Sequence, residues 1–244
     1  MYNYKLVIEY DGRGYKGWQK QNYTGNTIQQ CLESSIEKIL KEKIKLIGAG
    51  RTDAGVSAYN QVANFHFKGN LVIDKFRHSL NSLLPGDITI KNVKSVNPEF
   101  HSRYSALKRE YIYKISFRKR SIGRDEFYRI GYELDMVKID EFIEFISKQL
   151  NFRSFCKNSE DRNNFLCRIF HFSFKYIKAR SELIFTITAN RFLHSMVRSL
   201  IGCAIDTGRG KLNLKDIKEK TKKGEKTGAY FLPSNALFLN KIYY

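Results

Sequence analysis

A charged pair inside a glycine-rich stretch is the feature of this sequence that most directly suggests chemistry. Arg51 and Asp53 stand in the run Gly48-Ala-Gly-Arg-Thr-Asp-Ala-Gly-Val-Ser57. Glycine permits backbone conformations closed to other residues, so such a loop can hold a carboxylate in an exposed position. The run lacks the lysine-and-hydroxyl ending of a phosphate-binding loop and the spacing of a dinucleotide-binding loop. On composition alone, a turn with a surface ion pair is the simpler interpretation.

The charge of the chain favours a polyanionic partner. There are 43 Lys and Arg residues against 24 Asp and Glu residues in 244, a net charge of +19 that is spread along the sequence. Such self-repulsion brings nothing to an enzyme for small neutral metabolites, whereas it strengthens binding to nucleic acid through counterion release. A membrane-surface protein is the alternative, but the sequence shows neither a basic amphipathic helix nor a lipidation signal.

Targeting and metal signals are absent from the sequence. Met1 to Asp11 alternates like a strand and lacks the apolar run of a signal peptide, and no apolar stretch reaches the roughly twenty residues that cross a bilayer. The four cysteines are scattered without zinc-site spacing, which favours buried free thiols in a reducing compartment. We therefore expect a cytoplasmic protein with no metal, and structural roles for the five histidines.

The elements that must position Arg51 and Asp53 alternate between strand and helix in two comparable halves. Residues 1–105 form the first half, which carries the Asp53 loop, and residues 106–244 form the second. The pattern predicts an α+β fold, in which the two related halves surround a mixed, mainly antiparallel sheet with a basic central cleft. The boundaries on which the site depends are strands at Tyr4–Tyr10, Ile44–Ile47 and Gln61–Phe67, a helix capped by Thr27 and Gln30, a helix from Asp140, and a helix at Phe192–Ile205.

Several segments, in order along nearly the whole chain, resemble the TruA-type tRNA pseudouridine synthases. The stretch around Asp53 is similar to the family's GRTDAGVHA motif and departs from it only at Ser57, where the family usually has His. The other similar segments are Tyr10–Gln21 (YDGRGYKGWQKQ), Thr27–Glu33 (TIQQCLE), Phe100–Ala106 (FHSRYSA), Arg109–Tyr113 (REYIY), Asn151–Phe155 (NFRSF) and Ala189–Arg198 (ANRFLHSMVR).

The resemblance implies a function and a set of site residues. Asp53 would be the catalytic aspartate, Tyr111 would stack on the target base, Arg198 would pair with Asp53, and Arg51 would contact the RNA near the flipped nucleotide. The implied reaction converts uridine to pseudouridine in the tRNA anticodon stem-loop, at positions 38–40, without a cofactor. The implied assembly is a homodimer with one RNA spanning both subunits.

Elementary chemistry is compatible with these roles. Moving uracil from an N1 to a C5 linkage needs a group that starts cleavage, and an ionised carboxylate can attack the sugar, add to the base or deprotonate the sugar. A neighbouring arginine would favour the charged carboxylate. An aromatic face can hold an extruded base with roughly 1–3 kcal/mol of stacking energy.

Other interpretations stay open at this point. Tyr111 and Tyr113 alternate with period two, so one of them could be an ordinary core residue, and Arg198 could be an ordinary surface arginine. The segment Leu232–Leu239 departs from the family pattern at Leu232 and Ala236, which raises the possibility of a ribosomal RNA substrate. A non-catalytic RNA-binding protein is a further alternative. A glycosidase would need a second catalytic carboxylate, which no motif supplies.

Overall fold

The structure of the protein is a computed structural model that describes residues 1–21, 25–157 and 164–244. The chain divides into two compact units, Met1–Leu107 together with Phe238–Tyr244, and Lys108–Leu237. The proposed halves, 1–105 and 106–244, keep the last residues with the second half, whereas here the last strand packs with the first unit. Both units combine helices with mainly antiparallel strands, which confirms the predicted α+β class.

The elements of the described residues are numbered in chain order. The strands are β1 (Tyr2–Tyr10), β2 (Ile47–Gly48), β3 (Ser57–Phe67), β4 (Ile88–Val96), β5 (Lys108–Ser116), β6 (Tyr128–Arg129), β7 (Ile169–Ile177), β8 (Glu182–Ala189) and β9 (Leu237–Tyr243). The helices are α1 (Ile28–Leu40), α2 (Ile73–Leu83), α3 (Met136–Ser147), α4 (Met196–Gly208) and α5 (Leu214–Lys223).

In the first unit, the strands lie in the order β4, β1, β3 and β9. Strand β1 is antiparallel to both β3 and β4, and β9 runs parallel to β3 where Ser57 pairs with Phe238. Alternate residues of β1 from Tyr4 to Tyr10 are buried, as a strand with one face on the core requires. The short β2 pairs with β3 at Ile47 and Asn64. The loop that carries Asp53 therefore connects β2 to the first residue of β3.

In the second unit, β8 lies between β5 and β7 and is antiparallel to both, while β6 adds a short parallel pair to β5. The register places Tyr111 opposite Ile187 and Tyr113 opposite Phe185. Helix α4 has a mostly apolar sequence, and it is accordingly buried along nearly its whole length. No helix in the described parts of the chain combines the length and the apolar character that crossing a bilayer demands.

Some predicted boundaries are wrong for identifiable reasons. The strand predicted at Ile44–Ile47 is reduced to the two residues of β2, although Ile44 is buried. The helix predicted from Asp140 begins four residues earlier, because the Asp135 side chain accepts hydrogen bonds from the next turn and caps it. The helix predicted from Phe192 begins only at Met196, because Ser195 has a left-handed φ of 57°.

The predicted cap of α1 is confirmed in its first half. Thr27 is the N-cap, and its Oγ1 accepts a hydrogen bond of 3.4 Å from the amide of Gln30. The reciprocal bond of a capping box is not formed, since Oε1 of Gln30 is buried without a hydrogen-bond partner in the described residues. The cap fixes where α1 begins, directly after the segment that contacts the Asp53 loop.

Candidate active site

The loop that carries Asp53 is held to the sheet by its backbone at the start. The amide of Ala49 donates to the carbonyl of Val62 at 2.8 Å, and Nε2 of Gln61 donates to the carbonyl of Gly50 at 3.0 Å. After Asp53 the chain turns, and the amide of Val56 donates to the Asp53 carbonyl at 3.2 Å. The loop is thus a fixed turn at the beginning of β3, with the Asp53 side chain half-buried.

A second segment, residues 11–21, lies against this loop. Its Trp18 amide donates to the Thr52 carbonyl at 3.2 Å, and its Tyr15 carbonyl accepts from the Gly55 amide at 3.3 Å. These bonds stand on either side of Asp53 in the sequence. The two segments that resemble the family most clearly therefore form one substructure, in which the segment 11–21 supports the backbone that displays the carboxylate.

Two glycines permit the close contact between these segments. Gly17 has a φ of 95°, and a Cβ there would lie 2.7 Å from the Thr52 carbonyl oxygen. A Cβ on Gly48 would lie 2.5 Å from Nε1 of Trp18, whose ring is buried. Side chains at either position would push the segments apart. Both glycines are thus required by the geometry that holds the Asp53 loop.

The side chains next to Asp53 take up different positions. Thr52 is buried, and its Oγ1 lies 2.8 Å from the hydroxyl of Tyr10. Burial raises the pKa of Tyr10 to about 12, although the hydrogen bond with Thr52 opposes the shift, so the hydroxyl keeps its proton near neutral pH. Arg51 is exposed, and its Nε donates to Oε1 of Gln19 at 3.0 Å. Arg51 is therefore held by the segment 11–21 on the outside of the loop.

Ser57, which replaces the family's usual His, has a structural role in this substructure. Its Oγ accepts a hydrogen bond of 3.0 Å from the buried amide of Gly12 and lies 3.4 Å from Oδ1 of Asp11. Arg13 hydrogen-bonds to Asp11 and holds the pKa of that carboxyl below its usual range. The serine thus joins the start of β3 to the turn after β1, so the departure from the family pattern leaves the Asp53 loop supported.

Tyr111 in the second unit lies on β5 and makes an edge contact with Phe192. The ring centroids are 5.2 Å apart and the planes are at 90°. Tyr111 is 8% exposed, and Tyr113, two residues along the same face, is fully buried. Edge-to-face pairs of this kind fix ring orientation and are worth about 0.5–1.5 kcal/mol beyond burial. Phe192 therefore orients the ring that the sequence analysis assigns to base stacking.

Arg198 is fixed on α4 by the segment that follows α5. Its Nε donates to the Leu232 carbonyl at 2.6 Å, and the next carbonyl, of Pro233, accepts from the Tyr113 hydroxyl at 2.9 Å. A Cβ on Gly202 would lie 2.1 Å from the Tyr230 carbonyl oxygen, so only glycine allows this approach to α4. Burial raises the pKa of Tyr113, and the charge of Arg198 opposes the shift. The guanidinium is therefore held by the Leu232 carbonyl, and Tyr113 on β5 holds the carbonyl next to it.

The departures at Leu232 and Ala236 fit this arrangement. Leu232 contributes its carbonyl, and its side chain is buried. Ala236 is buried in a 3-10 turn at Ser234–Ala236, a conformation with negative φ that does not require glycine. Neither substitution disturbs the segment that contacts Arg198.

The structure places the four predicted site residues in two groups. Arg51 and Asp53 share one loop of the first unit, and Tyr111 and Arg198 both belong to the second unit. The predicted ion pair between Asp53 and Arg198 stays a prediction. Among the residues that the structure describes, no group of three or more His, Cys, Asp and Glu side chains could hold a metal ion.

Sequence reasoning missed the residues that support these groups. Thr52, Gln19 and Phe192 all lie inside the quoted segments, yet nothing in their spacing shows which of them contacts a site residue. The period-two spacing predicts only that Tyr113 could be a core residue, and the signal for its further role is that the buried hydroxyl of a tyrosine needs a partner. Such a signal identifies a hydrogen bond but not its acceptor.

Taken together, the strong positive charge of the α+β chain and its fixed carboxylate loop define a protein suited to chemistry on a polyanion. Comparison with known proteins identifies the family. The sequence model of the family described as tRNA pseudouridine synthase matches residues 6–105 and 149–244. The chain belongs to this family, as the resemblance of its segments predicts.

Full-length relatives agree with this assignment. The chain is 39% identical over 253 residues to tRNA pseudouridine synthase A of Caldicellulosiruptor bescii, with 100% of both chains covered. It is 39% identical to the protein of the same name from Chlorobium phaeobacteroides, covering 100% of this chain and 94% of the relative. With the corresponding protein of Bacteroides fragilis the identity is 38%, covering 99% and 96%.

Proposed function

We propose that this protein isomerises uridine to pseudouridine in the anticodon stem-loop of tRNA, at positions 38–40. The observation that carries the proposal is that Asp53 lies in a loop held in place on both sides. The backbone of this loop is hydrogen-bonded to the segment 11–21 before and after Asp53. Family membership and the excess of positive charge support tRNA as the substrate. The proposal includes a homodimer in the cytoplasm that needs no cofactor.

The reaction conserves all atoms of the nucleotide. The bond between C1′ and N1 breaks, the uracil turns, and a bond forms between C1′ and C5. The hydrogen of C5 leaves as a proton, and N1 gains one. Asp53 would start the cleavage in its ionised form, by attack on the sugar, attack on the base or deprotonation of the sugar. A fixed carboxylate suits each route, because all of them need a group held in position before the substrate arrives.

Tyr111 and Arg198 would serve the same uridine. The target base must leave the RNA stack, at a cost of a few kcal/mol, before a carboxylate can reach it. The Tyr111 ring, which is 8% exposed and is oriented by Phe192, would stack on the extruded base. Arg198 would pair with the Asp53 carboxylate through its permanent positive charge. Arg51, exposed on the Asp53 loop, would contact the RNA near the flipped nucleotide.

The proposal is tested by mapping pseudouridine. Purified protein is incubated with unmodified tRNA transcripts, and total RNA is compared between cells with and without the protein. We expect pseudouridine at positions 38–40 of tRNA in both experiments and its absence from the cells that lack the protein. Pseudouridine that depends on the protein only in ribosomal RNA would overturn the choice of substrate. Tight RNA binding without any isomerisation would favour the non-catalytic alternative.

The homodimer is tested separately. Sedimentation equilibrium of the purified protein gives the mass of the particle, and the chain mass is 28.6 kDa. A particle of twice this mass, with and without tRNA, would support the proposed assembly. A particle of the chain mass at the concentrations used for the activity measurement would contradict it.

A further inference from the structure

A groove in the first unit, away from the Asp53 loop, combines positive charge with imidazole rings. It is lined by residues 42–45 before β2, by Ile47, by His66 near the end of β3 and by His101. Lys43 and Lys45 are both exposed, and neither forms an ion pair with a carboxylate in the described ranges. Glu42 is the one acidic residue in the lining. We refer to this surface as the His101 groove.

An exposed aromatic ring continues the groove. The ring of Tyr104 lies 4.3 Å from the His101 ring, centroid to centroid, and is tilted by 33°. The residue is 76% exposed, which is unusual for a large aromatic side chain that has a fixed neighbour. The guanidinium carbon of Arg103 lies 5.6 Å from the centre of the same ring. Tyr104 thus presents a largely exposed ring with positive charge beside it.

In its neutral form, the His101 ring presents a hydrogen-bond donor, Nε2–H, on the side away from its turn. Its Nδ1 accepts hydrogen bonds of 3.2 Å from the amides of Arg103 and Tyr104. The neutral ring therefore carries its proton on Nε2, which leaves that nitrogen as an N–H donor. A donor beside two lysines suits the oxygens of a phosphate.

A buried polar network holds this turn rigidly. Asn64 on β3 accepts with its Oδ1 from both the amide and the hydroxyl of Ser102, at 2.9 and 2.8 Å. The side-chain amide of Asn64 donates to Oδ1 of Asn3 at 2.9 Å, and Asn3 donates to the Phe100 carbonyl at 2.8 Å. All three network side chains are fully buried. The turn that carries His101 is thus fixed before any partner binds, which lowers the entropy lost on binding.

From these features we propose that the His101 groove binds RNA at a site remote from the reacting uridine. Phosphates would lie on Lys43, Lys45 and the Nε2 of His101, and an unpaired base would stack on Tyr104. His66 stands nine residues along β3 from Ser57, which follows the Asp53 loop. At about 3.3 Å per residue this is on the order of 30 Å. Only a macromolecular substrate covers such a distance, so the inference rests on the proposed RNA substrate.

A second copy of this chain is a poor candidate for the same groove. The groove itself is positive, with Lys43 and Lys45 against Glu42, so the same face of another copy would be repelled there. The exposed side chains of the groove are charged and the ring of Tyr104 beside it is aromatic, while of its two isoleucines Ile44 is buried and Ile47 is half-buried. Positive side chains next to an exposed aromatic ring are typical of surfaces that bind single-stranded RNA.

The test measures binding of unmodified tRNA transcript as a function of salt, by fluorescence anisotropy, for the full-length protein. Lys43→Ala/Lys45→Ala should raise Kd roughly tenfold and reduce the slope of log Kd against log salt by about two, because each lysine would neutralise one phosphate. Tyr104→Ala should raise Kd roughly fivefold to a hundredfold with an unchanged slope, and Tyr104→Phe should restore binding because it keeps the ring. In turnover, the changes should fall on KM and not on kcat.

The matched control removes two exposed lysines of the same unit outside the groove, Lys38→Ala/Lys75→Ala. If the groove variants bind tRNA as this control does, or if they lower kcat while Kd is unchanged, the inference is overturned. A change in sedimentation mass in the groove variants would assign the surface to a second copy and overturn it as well. If the groove substitutions change Kd and the salt slope as expected but the wild-type protein forms no pseudouridine, the proposed function is contradicted and the inference about the groove is not.

Discussion

The backbone amide of Trp18 donates a hydrogen bond of 3.2 Å to the carbonyl of Thr52, the residue directly before Asp53. This bond joins two segments that are more than thirty residues apart in the sequence. Together with the bond from Gly55 to Tyr15, it holds the backbone on both sides of the carboxylate. The position of Asp53 therefore depends on the segment 11–21 as much as on its own loop.

Gly17→Ala should test this dependence. The new methyl group would lie 2.7 Å from the Thr52 carbonyl oxygen, in a residue whose φ is 95°. We expect a loss of about 1–3 kcal/mol of folding stability in urea unfolding. We also expect at least a tenfold fall in kcat for tRNA, because a displacement of about 1 Å at a catalytic group costs this much or more. Gly14→Ala is the matched control, since a Cβ there meets nothing within 4 Å. Full kcat in Gly17→Ala would show that the contact does not position Asp53.

Ser57→Ala should reduce stability more than activity. It removes the acceptor of the buried Gly12 amide, and an unsatisfied buried donor costs about 1–3 kcal/mol. We expect kcat to stay within about fivefold of wild type, because the bonds from Trp18 to Thr52 and from Gly55 to Tyr15 remain. Thermal unfolding and single-turnover kinetics measure the two effects. A stability equal to that of wild type would contradict the structural role assigned to Ser57.

Tyr113→Phe should weaken the support of Arg198. The hydroxyl of Tyr113 donates to the Pro233 carbonyl, next to the Leu232 carbonyl that accepts from Arg198. Its loss should cost about 1 kcal/mol in stability. We expect kcat to fall about threefold to tenfold with KM little changed, because Arg198 becomes less well positioned. In the double variant with Arg198→Lys, the effect of Tyr113→Phe on kcat should largely disappear. Two effects that multiply would mean that Tyr113 acts independently of Arg198.

Substitutions at Tyr111 should separate the ring from the hydroxyl. Tyr111→Phe keeps the ring and its edge contact with Phe192, so it should retain base stacking. Tyr111→Ala should lose roughly 1–3 kcal/mol of stacking energy, seen as a fall in kcat/KM of about fivefold to a hundredfold. If Tyr111→Phe is as inactive as Tyr111→Ala, the hydroxyl takes part in the reaction and stacking is not the main role. If Tyr111→Ala turns over normally, Tyr111 is only a core residue.

Local patterns in the sequence were sufficient for much of the fold. The alternation of β1 and the Thr27 cap of α1 follow from residue types over a few positions. The late start of α4 could not be predicted in this way, because the positive φ of Ser195 depends on its surroundings and not on its residue type. The pairing of β9 with β3 could not be predicted from local patterns either, because it joins positions about 180 residues apart.

The site divides in the same way. The resemblance pointed to Asp53, Tyr111 and Arg198 from their own segments. Their supports could not be predicted, since the contacts of Trp18 with Thr52 and of Leu232 with Arg198 are made only when distant segments pack together. Ser57 illustrates the difference between residue type and contacts. Its type indicates only a departure from the family pattern, whereas its hydrogen bond with the Gly12 amide gives it a structural role.

The central claim is that the Asp53 carboxylate carries out the reaction and contributes little to RNA affinity. The most direct test is single-turnover pseudouridine formation and tRNA binding by Asp53→Asn, with Asp74→Asn as a control that removes a carboxylate 92% exposed on α2. We predict that Asp53→Asn lowers the rate by at least about a thousandfold, while Kd stays within about threefold because phosphate contacts dominate affinity. Asp74→Asn should match wild type in both. A rate for Asp53→Asn close to that of wild type would contradict the account.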